Sequence, residues 1–318
     1  MINFWQTILS ELQLSRHVSL LYLVTSNGSS PGRQGFYMAV FESDEIVGSI
    51  GGGIMEHKLV ELAKAKLSNS DNSISLKRQI HSDSVNENKS GMICSGEQTI
   101  CLLLIGNNEK NIIQAIISNI ETKGDKYLKL SSNGLELVNN KNLKSAFSFT
   151  QNNHHWEYLE NLNFKNTIHI IGSGHVGLAL SRQMSWLGFH VVIYDDREKL
   201  NTFASNKWAD EKIIIDYANI KEQIPAKSDY VVLVSFGYKT DKKILEQLLG
   251  NQFKYLGMMG SKSKTKALLK ALKEEGFEES HLSKLHAPIG IDIQSKTPEE
   301  IAVSIAAEII EVKNNSPL

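Results

Sequence analysis

The sequence predicts a mixed α/β protein of two domains, an α+β half over residues 1–164 followed by a doubly wound parallel sheet over 165–318. Three observations carry this. From Thr167 onward, apolar runs of strand length alternate strictly with helical segments. Upstream, short apolar runs are broken by Gly, Ser and Asp in the manner of hairpins. Between the two lies the polar, Asn-rich "QNNHHWEYLENLNFKN" at 151–166, where we place the boundary.

In the first half, Phe4, Ile8 and Leu12 recur at helical spacing, and "VSLLYLV" at 18–24 is an apolar run that fits a buried strand. "FYMAVF" and "EIVGSI" form a hairpin with Ser43 and Asp44 at its turn. Met55, Leu59, Leu62, Ala63, Lys66 and Leu67 define one face of an amphipathic helix that starts just after Gly51-Gly52-Gly53. "SLKRQI" and "QTICLLLI" are further strands separated by the polar "HSDSVNENKSG", which reads as a loop. Residues 109–164 contribute one helix over "NIIQAIISNI" and some short strands.

In the second half, "TIHII", "HVVIYD", "KIIID", "YVVLVSF" and "YLGMMG" are the strands of the parallel sheet. Pro298, Glu299 and Glu300 open a last helix behind the cap residue Thr297, because Pro suits the first helical position and a carboxylate three residues past the cap bonds back to it.

Composition limits what such a fold does. With 34 Lys+Arg against 35 Asp+Glu, the formal charge of −1 leaves no global basic field to gather nucleic acid or anionic lipid. No apolar run reaches the ~18 residues of a membrane span, and the opening "MINFWQTILSELQ" lacks a basic segment, so a cytoplasmic location is expected. Cys94 and Cys101 are the only cysteines, too few for a disulfide framework or an all-cysteine zinc site.

Two glycine-rich devices then ask for a ligand. The first lies in "GSSPGRQG", 28–35, and "GSIGGGIMEHKLVE", 48–61. Here Gly28, Gly32 and Gly35 permit positive φ, Ser29 and Ser30 supply hydroxyls and backbone donors, and Arg33 offers a planar cation suited to phosphate. Gly51, Gly52 and Gly53 deliver a helix N-terminus, and Glu56 falls in its first turn, where a negative charge favours the helix. Hairpin turns and close helix packing are the alternative explanation. "GMICSGE", 91–97, sets Cys94 in a third glycine-flanked loop, as either a soft-metal or sulfur-handling thiol or a bland buried one; Cys101, inside "ICLLLI", is a small core residue.

The second device is strand-Gly172-x-Gly174-x-x-Gly177-helix, the context in which this spacing suits a pyrophosphate in a Rossmann-like domain. Asp195 ends the next strand, placed to accept from ribose hydroxyls; a scaffold with a vestigial site stands beside that reading. His175 starts the helix and is a candidate cofactor contact, while His169 belongs to the strand core. In "GMMGSKSK", 257–264, Gly260, Ser261 and Lys262 with Lys264 form another strand-to-helix turn, either a phosphate seat or a solvated lysine face.

Taken in order, "GSSPGRQG", "GSIGGGIMEHKLVE", "GMICSGE", "IIGSGHVGLAL", "VVIYDDR", "YLGMMGSKSK" and "LHAPIGIDIQSKTPEEIAVSIAAEII" resemble the XdhC/CoxI family, accessory proteins of xanthine dehydrogenase and related molybdenum hydroxylases. The resemblance implies an N-terminal family-specific domain and a C-terminal Rossmann domain. It also implies a chaperone that binds the molybdenum cofactor as cargo, supports its sulfuration with a cysteine desulfurase and delivers it to an apo-hydroxylase. Such a chain is an accessory protein rather than the dehydrogenase, whose iron–sulfur clusters need cysteine sets that two cysteines do not make. The sequence departs from the family pattern at Ile54, where some members carry Cys, so a metal-ligand role rests on Cys94; Ser95 stands where a second Gly is frequent. The roles of His286 and Asp292 in "LHAPIGID" are unassigned. Two glycine devices suit one elongated ligand. The rival readings are an NAD(P)-dependent oxidoreductase using Asp195 and a nucleotide-sensing module without cargo. A homodimer is expected from the apolar C-terminal helix.

Overall fold

The computed structural model describes residues 1–81, 96–139, 143, 145–152, 155–224 and 230–315. The chain divides into two units, Met1–Phe164 and Lys165–Leu318.

The first unit begins with α1 (Ile2–Gln13), which buries Phe4, Trp5, Ile8 and Leu12, then β1 (Val18–Gly28) and the hairpin β2 (Tyr37–Phe41) and β3 (Ile46–Gly48). Helix α2 (Gly53–Ser68) is followed by β4 (Ser75–His81) and β5 (Gly96–Ile105). These strands make an antiparallel sheet in the order β3-β2-β1-β5-β4. The central strand β1 is apolar on both faces because both are covered. Leu20, Tyr22 and Val24 join a core with α1, whereas Leu21 and Leu23 pack with Leu59, Val60 and Ala63 of α2. This alternation is the period of two that a strand imposes.

Helix α3 (Lys110–Glu121) adds Ile113, Ile116 and Ile117 to the α1 side of the core. Four strands, β6 (Tyr127–Ser131), β7 (Gly134–Val138), β8 (Phe147–Gln151) and β9 (Trp156–Glu160), then form an antiparallel sheet in the order β7-β6-β9-β8. Strand β9 lies in the stretch whose composition suggests a polar boundary. Its "WEYLE" buries Tyr158, Leu159 and Glu160, an apolar content diluted by the Asn and His around it. On α2 the expected face also shifts: Leu62 is exposed and Val60 takes its place against the sheet.

Glu160 is a buried carboxylate between the two sheets of this unit. Its Oε2 accepts from the Tyr22 hydroxyl of β1 at 2.5 Å and from the Tyr158 hydroxyl at 2.8 Å. Burial pushes its carboxyl up from 4.5 to about 7, with the two tyrosine hydrogen bonds pulling the other way.

The second unit contains β10 (Thr167–Ile171), α4 (His175–Trp186), β11 (His190–Asp195), α5 (Asn201–Ala204), β12 (Glu211–Ile214) and α6 (Ile220–Gln223). Then follow β13 (Tyr230–Leu233), α7 (Tyr238–Leu248), β14 (Tyr255–Met258), α8 (Lys262–Glu274), α9 (Glu279–Leu282), β15 (Leu285–His286) and α10 (Pro298–Asn315). All six strands are parallel, in the order β12-β11-β10-β13-β14-β15. The two-residue β15 is too short to signal itself in sequence. Leu180 and Met184 of α4 and Ile305 and Ile309 of α10 cover one face, while Ile244 and Leu245 of α7 and Leu268 and Leu272 of α8 cover the other. The strand order turns back between β10 and β13, and in open parallel sheets that reversal opens a crevice at the carboxyl ends of the strands.

The start of α10 closes the capping box expected of it. Thr297 Oγ1 accepts from Glu300 N at 3.2 Å, and Glu300 Oε2 accepts from Thr297 N at 3.0 Å.

Candidate functional site

In the first unit, backbone contacts bring three glycine-bearing segments together. A Cβ on Gly51 would lie 2.6 Å from Gly32 N, and one on Gly96 would lie 2.6 Å from both Ser29 C and Ser30 N. No side chain fits at these two positions, so the 49–53 and 28–35 loops and the start of β5 are stacked main chain on main chain. Gly32 serves this packing rather than a positive φ. A Cβ there would sit 2.3 Å from both Ile50 O and Leu23 Cδ1, whereas Gly28 (φ 64) and Gly35 (φ 86) do use the left-handed region.

Gln98 is the polar hub of this arrangement, and sequence reasoning missed it. Its Oε1 accepts from the buried Ser30 Oγ at 2.6 Å and from Gly32 N at 3.3 Å, and its Nε2 donates to Gln79 Oε1 at 2.8 Å. The first two partners stand 68 and 66 residues away in sequence, and a Gln in an alternating strand carries no motif. Ser29 is exposed and Ser30 is buried. Arg33 is exposed, and its Nη1 donates to the carbonyls of Ser30 and Gly32, so the guanidinium folds onto its own loop.

The glycine loop ahead of α2 holds an anion that belongs to the chain. Glu56 Oε2 accepts from Ser49 Oγ at 2.7 Å, from Ile50 N at 2.9 Å and from Gly52 N at 2.9 Å. Glu56 thus does more than favour the helix dipole: it fills an amide nest. The backbone that makes the nest is left-handed at Gly51, Gly52 and Gly53, with φ of 127, 74 and 74°. Gly52 caps the helix without a side chain, and the next residue but one, Ile54, is exposed.

Cys94 lies outside the described residues, two positions before Gly96 in the chain. Cys101 is fully buried, and burial pushes its thiol up to about 12, which makes it inert. Among the described residues, no group of three or more His, Cys, Asp or Glu side chains is placed to hold a metal ion.

In the second unit, each fingerprint glycine has its own reason. A Cβ on Gly172 (φ 107) would meet Ser235 N and Val234 O at 2.7 Å, and one on Gly177 would meet Gly172 O at 2.1 Å. Gly174, the cap of α4, has nothing within 4 Å of its Cβ position, so backbone there is open to a ligand. His175 is exposed and lines a groove of about 300 Å³ between α4 and α10 with Arg182, Trp186 and Trp208.

Asp195 is buried and densely bonded. Its Oδ2 accepts from Ser173 N and Oγ, both at 2.7 Å, and from Arg197 Nη2 at 2.9 Å, while Oδ1 accepts from Arg197 Nε at 2.7 Å and Arg197 N at 3.1 Å. Burial works against its charge, but the Arg197 and Ser173 donors outweigh it and hold the carboxyl down at about 2. A ribose hydroxyl would have to take the place of Arg197.

Gly260, Ser261 and Lys262 form the entry to α8. Ser261 Oγ caps it by accepting from Lys264 N at 3.2 Å, and Lys262 is exposed. Lys264 is not part of a solvated face: its Nζ is paired with Asp241, which is 1% exposed and also accepts from Ser235 Oγ. His286 and Asp292, without a role in the sequence, separate clearly. The imidazole meets Glu308 Oε1 of α10 at 3.0 Å, and Glu308 Oε2 accepts from Tyr255 and from Gly290 N at 2.7 Å, so His286 helps fasten the 286–290 turn; Asp292 is exposed.

Comparison with known proteins gives these features a context. Residues 168–309 match the model described as the XdhC Rossmann domain, and residues 12–76 match that of the XdhC and CoxI family. The chain is 34% identical over 149 residues to an uncharacterised protein, YqeB, of Escherichia coli K12, a match covering 46% of this chain and 27% of that one. It is 27% identical over 161 residues to a Bacillus subtilis protein named as a probable subunit of xanthine dehydrogenase, covering 49% of this chain and 46% of that one. The matched regions thus span less than half the length of these curated relatives. A crystal structure from Bacillus halodurans, described as a xanthine dehydrogenase, superposes with a TM-score of 0.68 at 22% identity over 99% of this chain and 96% of that one, which establishes a shared fold. No helix among the described residues is long and apolar enough to cross a membrane.

Proposed function

This chain belongs to the XdhC and CoxI family, and on that footing we propose that it is a carrier for the molybdenum cofactor, acting for xanthine dehydrogenase-type hydroxylases. A relative carries the name of a xanthine dehydrogenase component, and the family has a link to the molybdenum cofactor. The observation that bears most weight is the amide nest at 49–53, stacked on the 28–35 loop and held by Glu56. Donors that satisfy a carboxylate also satisfy a phosphate, which is the group the cargo's pterin carries. Competition from an internal carboxylate limits affinity, and a carrier has to release what it binds. Arg33 adds a cation beside Ser29 and Ser30, and Cys94 supplies a thiol for the metal or for sulfur exchange with a cysteine desulfurase. The carrier works as a homodimer in the cytoplasm.

A second reading, an NAD(P)-dependent oxidoreductase, draws support from the open backbone at Gly174. The commitment of Asp195 to Arg197 and Ser173 weighs against it. Reconstitution of an apo-hydroxylase with cofactor and a cysteine desulfurase tests the leading proposal. Adding the chain should raise the yield of active, sulfurated enzyme, and Cys94→Ser should remove most of that gain. Equal yields with and without the chain would end the carrier reading.

A further inference from the structure

We propose that Phe236 is the stacking platform of a ligand site at the crevice between β10 and β13, and that this site takes a planar, fused heteroaromatic ring bearing a phosphate. The proposal deepens the reading of the second unit as a nucleotide-type site and rests on it, adding the residue that engages the ring.

Close backbone contact defines the place. The Cβ position of Gly172 is 2.7 Å from Ser235 N, so the turn after β10 abuts the turn after β13. Phe236 follows that contact by one residue, and Gly174 follows it by two on the other turn. The crevice is where the strand order reverses, the position at which open parallel sheets bind ligands.

Phe236 is 95% exposed and stacks on no other ring among the described residues. A single exposed apolar side chain is ordinary. What distinguishes this one is its mount. On one side, buried Ser235 donates to Asp241, which is 1% exposed and paired with Lys264, whose Nζ also reaches Met259 O at 3.4 Å. On the other side, Gly237 sits at φ 119 and caps α7, and Asp241 N donates to its carbonyl at 3.1 Å. The backbone is therefore fixed on both sides of a ring that projects into solvent. The backbone anchor of the ring is set before a ligand arrives, so binding a flat ring has only the Phe236 side-chain rotamer to order.

Gly174 complements the ring. Nothing lies within 4 Å of its Cβ position, which gives a phosphate access to the amides that open α4. A purine nucleotide and a pterin phosphate share the required chemistry, a planar bicycle with a phosphate attached.

The test is isothermal titration of the full chain with ADP, with 6-hydroxymethylpterin phosphate and with inorganic pyrophosphate, on wild type, Phe236→Ala and Phe236→Trp. We expect Phe236→Ala to weaken the ring-bearing probe about 10-fold or more, the usual worth of one stacked base. Pyrophosphate binding should change by less than about twofold, because it has no ring to stack. Phe236→Trp should restore the affinity and show quenched tryptophan fluorescence on binding. The tighter of the two ring-bearing probes identifies the source of the ring. Unchanged ring affinity in Phe236→Ala would overturn the platform and leave the nucleotide-type reading standing. Binding of pyrophosphate alone by wild type would do the same. If wild type binds none of the three, the underlying reading fails and the platform falls with it.

Discussion

Glu160→Gln should remove a pH dependence of stability that this one buried carboxylate creates. In the folded chain its carboxyl is raised from 4.5 to about 7, chiefly by burial, so between those values the folded state holds a proton that the unfolded state has lost. Stability must therefore fall as pH rises. The contribution is fully present below about 4.5 and is lost as pH climbs through about 7. At about 1.4 kcal/mol per pKa unit, the window is worth about 3 kcal/mol. Glutamine keeps an acceptor for Tyr22 and Tyr158, and it does not ionise. Urea unfolding of the two proteins at a series of pH values from about 5 to about 8 reads the difference directly, and taking that difference cancels every other titrating group. The account predicts that the variant gains about 2.5 kcal/mol on wild type across this range. A difference that stays constant with pH would show that Glu160 is not the buried acid described here.

Further outcomes follow from the same structure. Gly32→Ala places a Cβ 2.3 Å from Ile50 O, so unfolding by urea should show a loss of about 2 to 3 kcal/mol, the scale of overpacking. Glu56→Gln weakens the bonds to Ile50 N and Gly52 N and should cost about 1 kcal/mol, a loss that phosphate in the buffer reduces by occupying the same donors. Thr297→Ala removes the cap of α10 and should lower stability by about 1 kcal/mol in the same assay. Arg197→Ala frees acceptor capacity on Asp195, so titration with ADP-ribose should show tighter binding than in wild type if a ribose uses that carboxylate.

How far the molecule is legible in its sequence follows from the range of each interaction. Local signals read well: the α1 stripe at Phe4, Ile8 and Leu12, the capping box at Thr297 and Glu300, and the parallel strands behind their apolar runs all depend on neighbours within a turn or a strand. The XdhC/CoxI motifs are readable for the same reason, each being a short stretch. Interactions between distant segments are not. Gln98 gathers Ser30, Gly32 and Gln79, and no spacing rule links those positions. Asp241 and Lys264 come from different helices, so only the fold reveals that the lysine is paired. The helix position of Glu56 is visible in sequence, but its capture by Ile50 N and Gly52 N depends on a left-handed glycine run whose path composition does not specify. Strand β9 is hidden by its polar flanks, although Glu160 ties it to β1 by accepting from Tyr22.

Anaerobic equilibrium binding of molybdenum cofactor, with NAD as a parallel titrant, on wild type and Arg33→Ala tests the carrier account most directly. The account predicts cofactor binding that Arg33→Ala weakens, which would put the cargo at the glycine loops of the first unit. Tight NAD binding with no cofactor binding would contradict it and turn the search toward a dehydrogenase substrate.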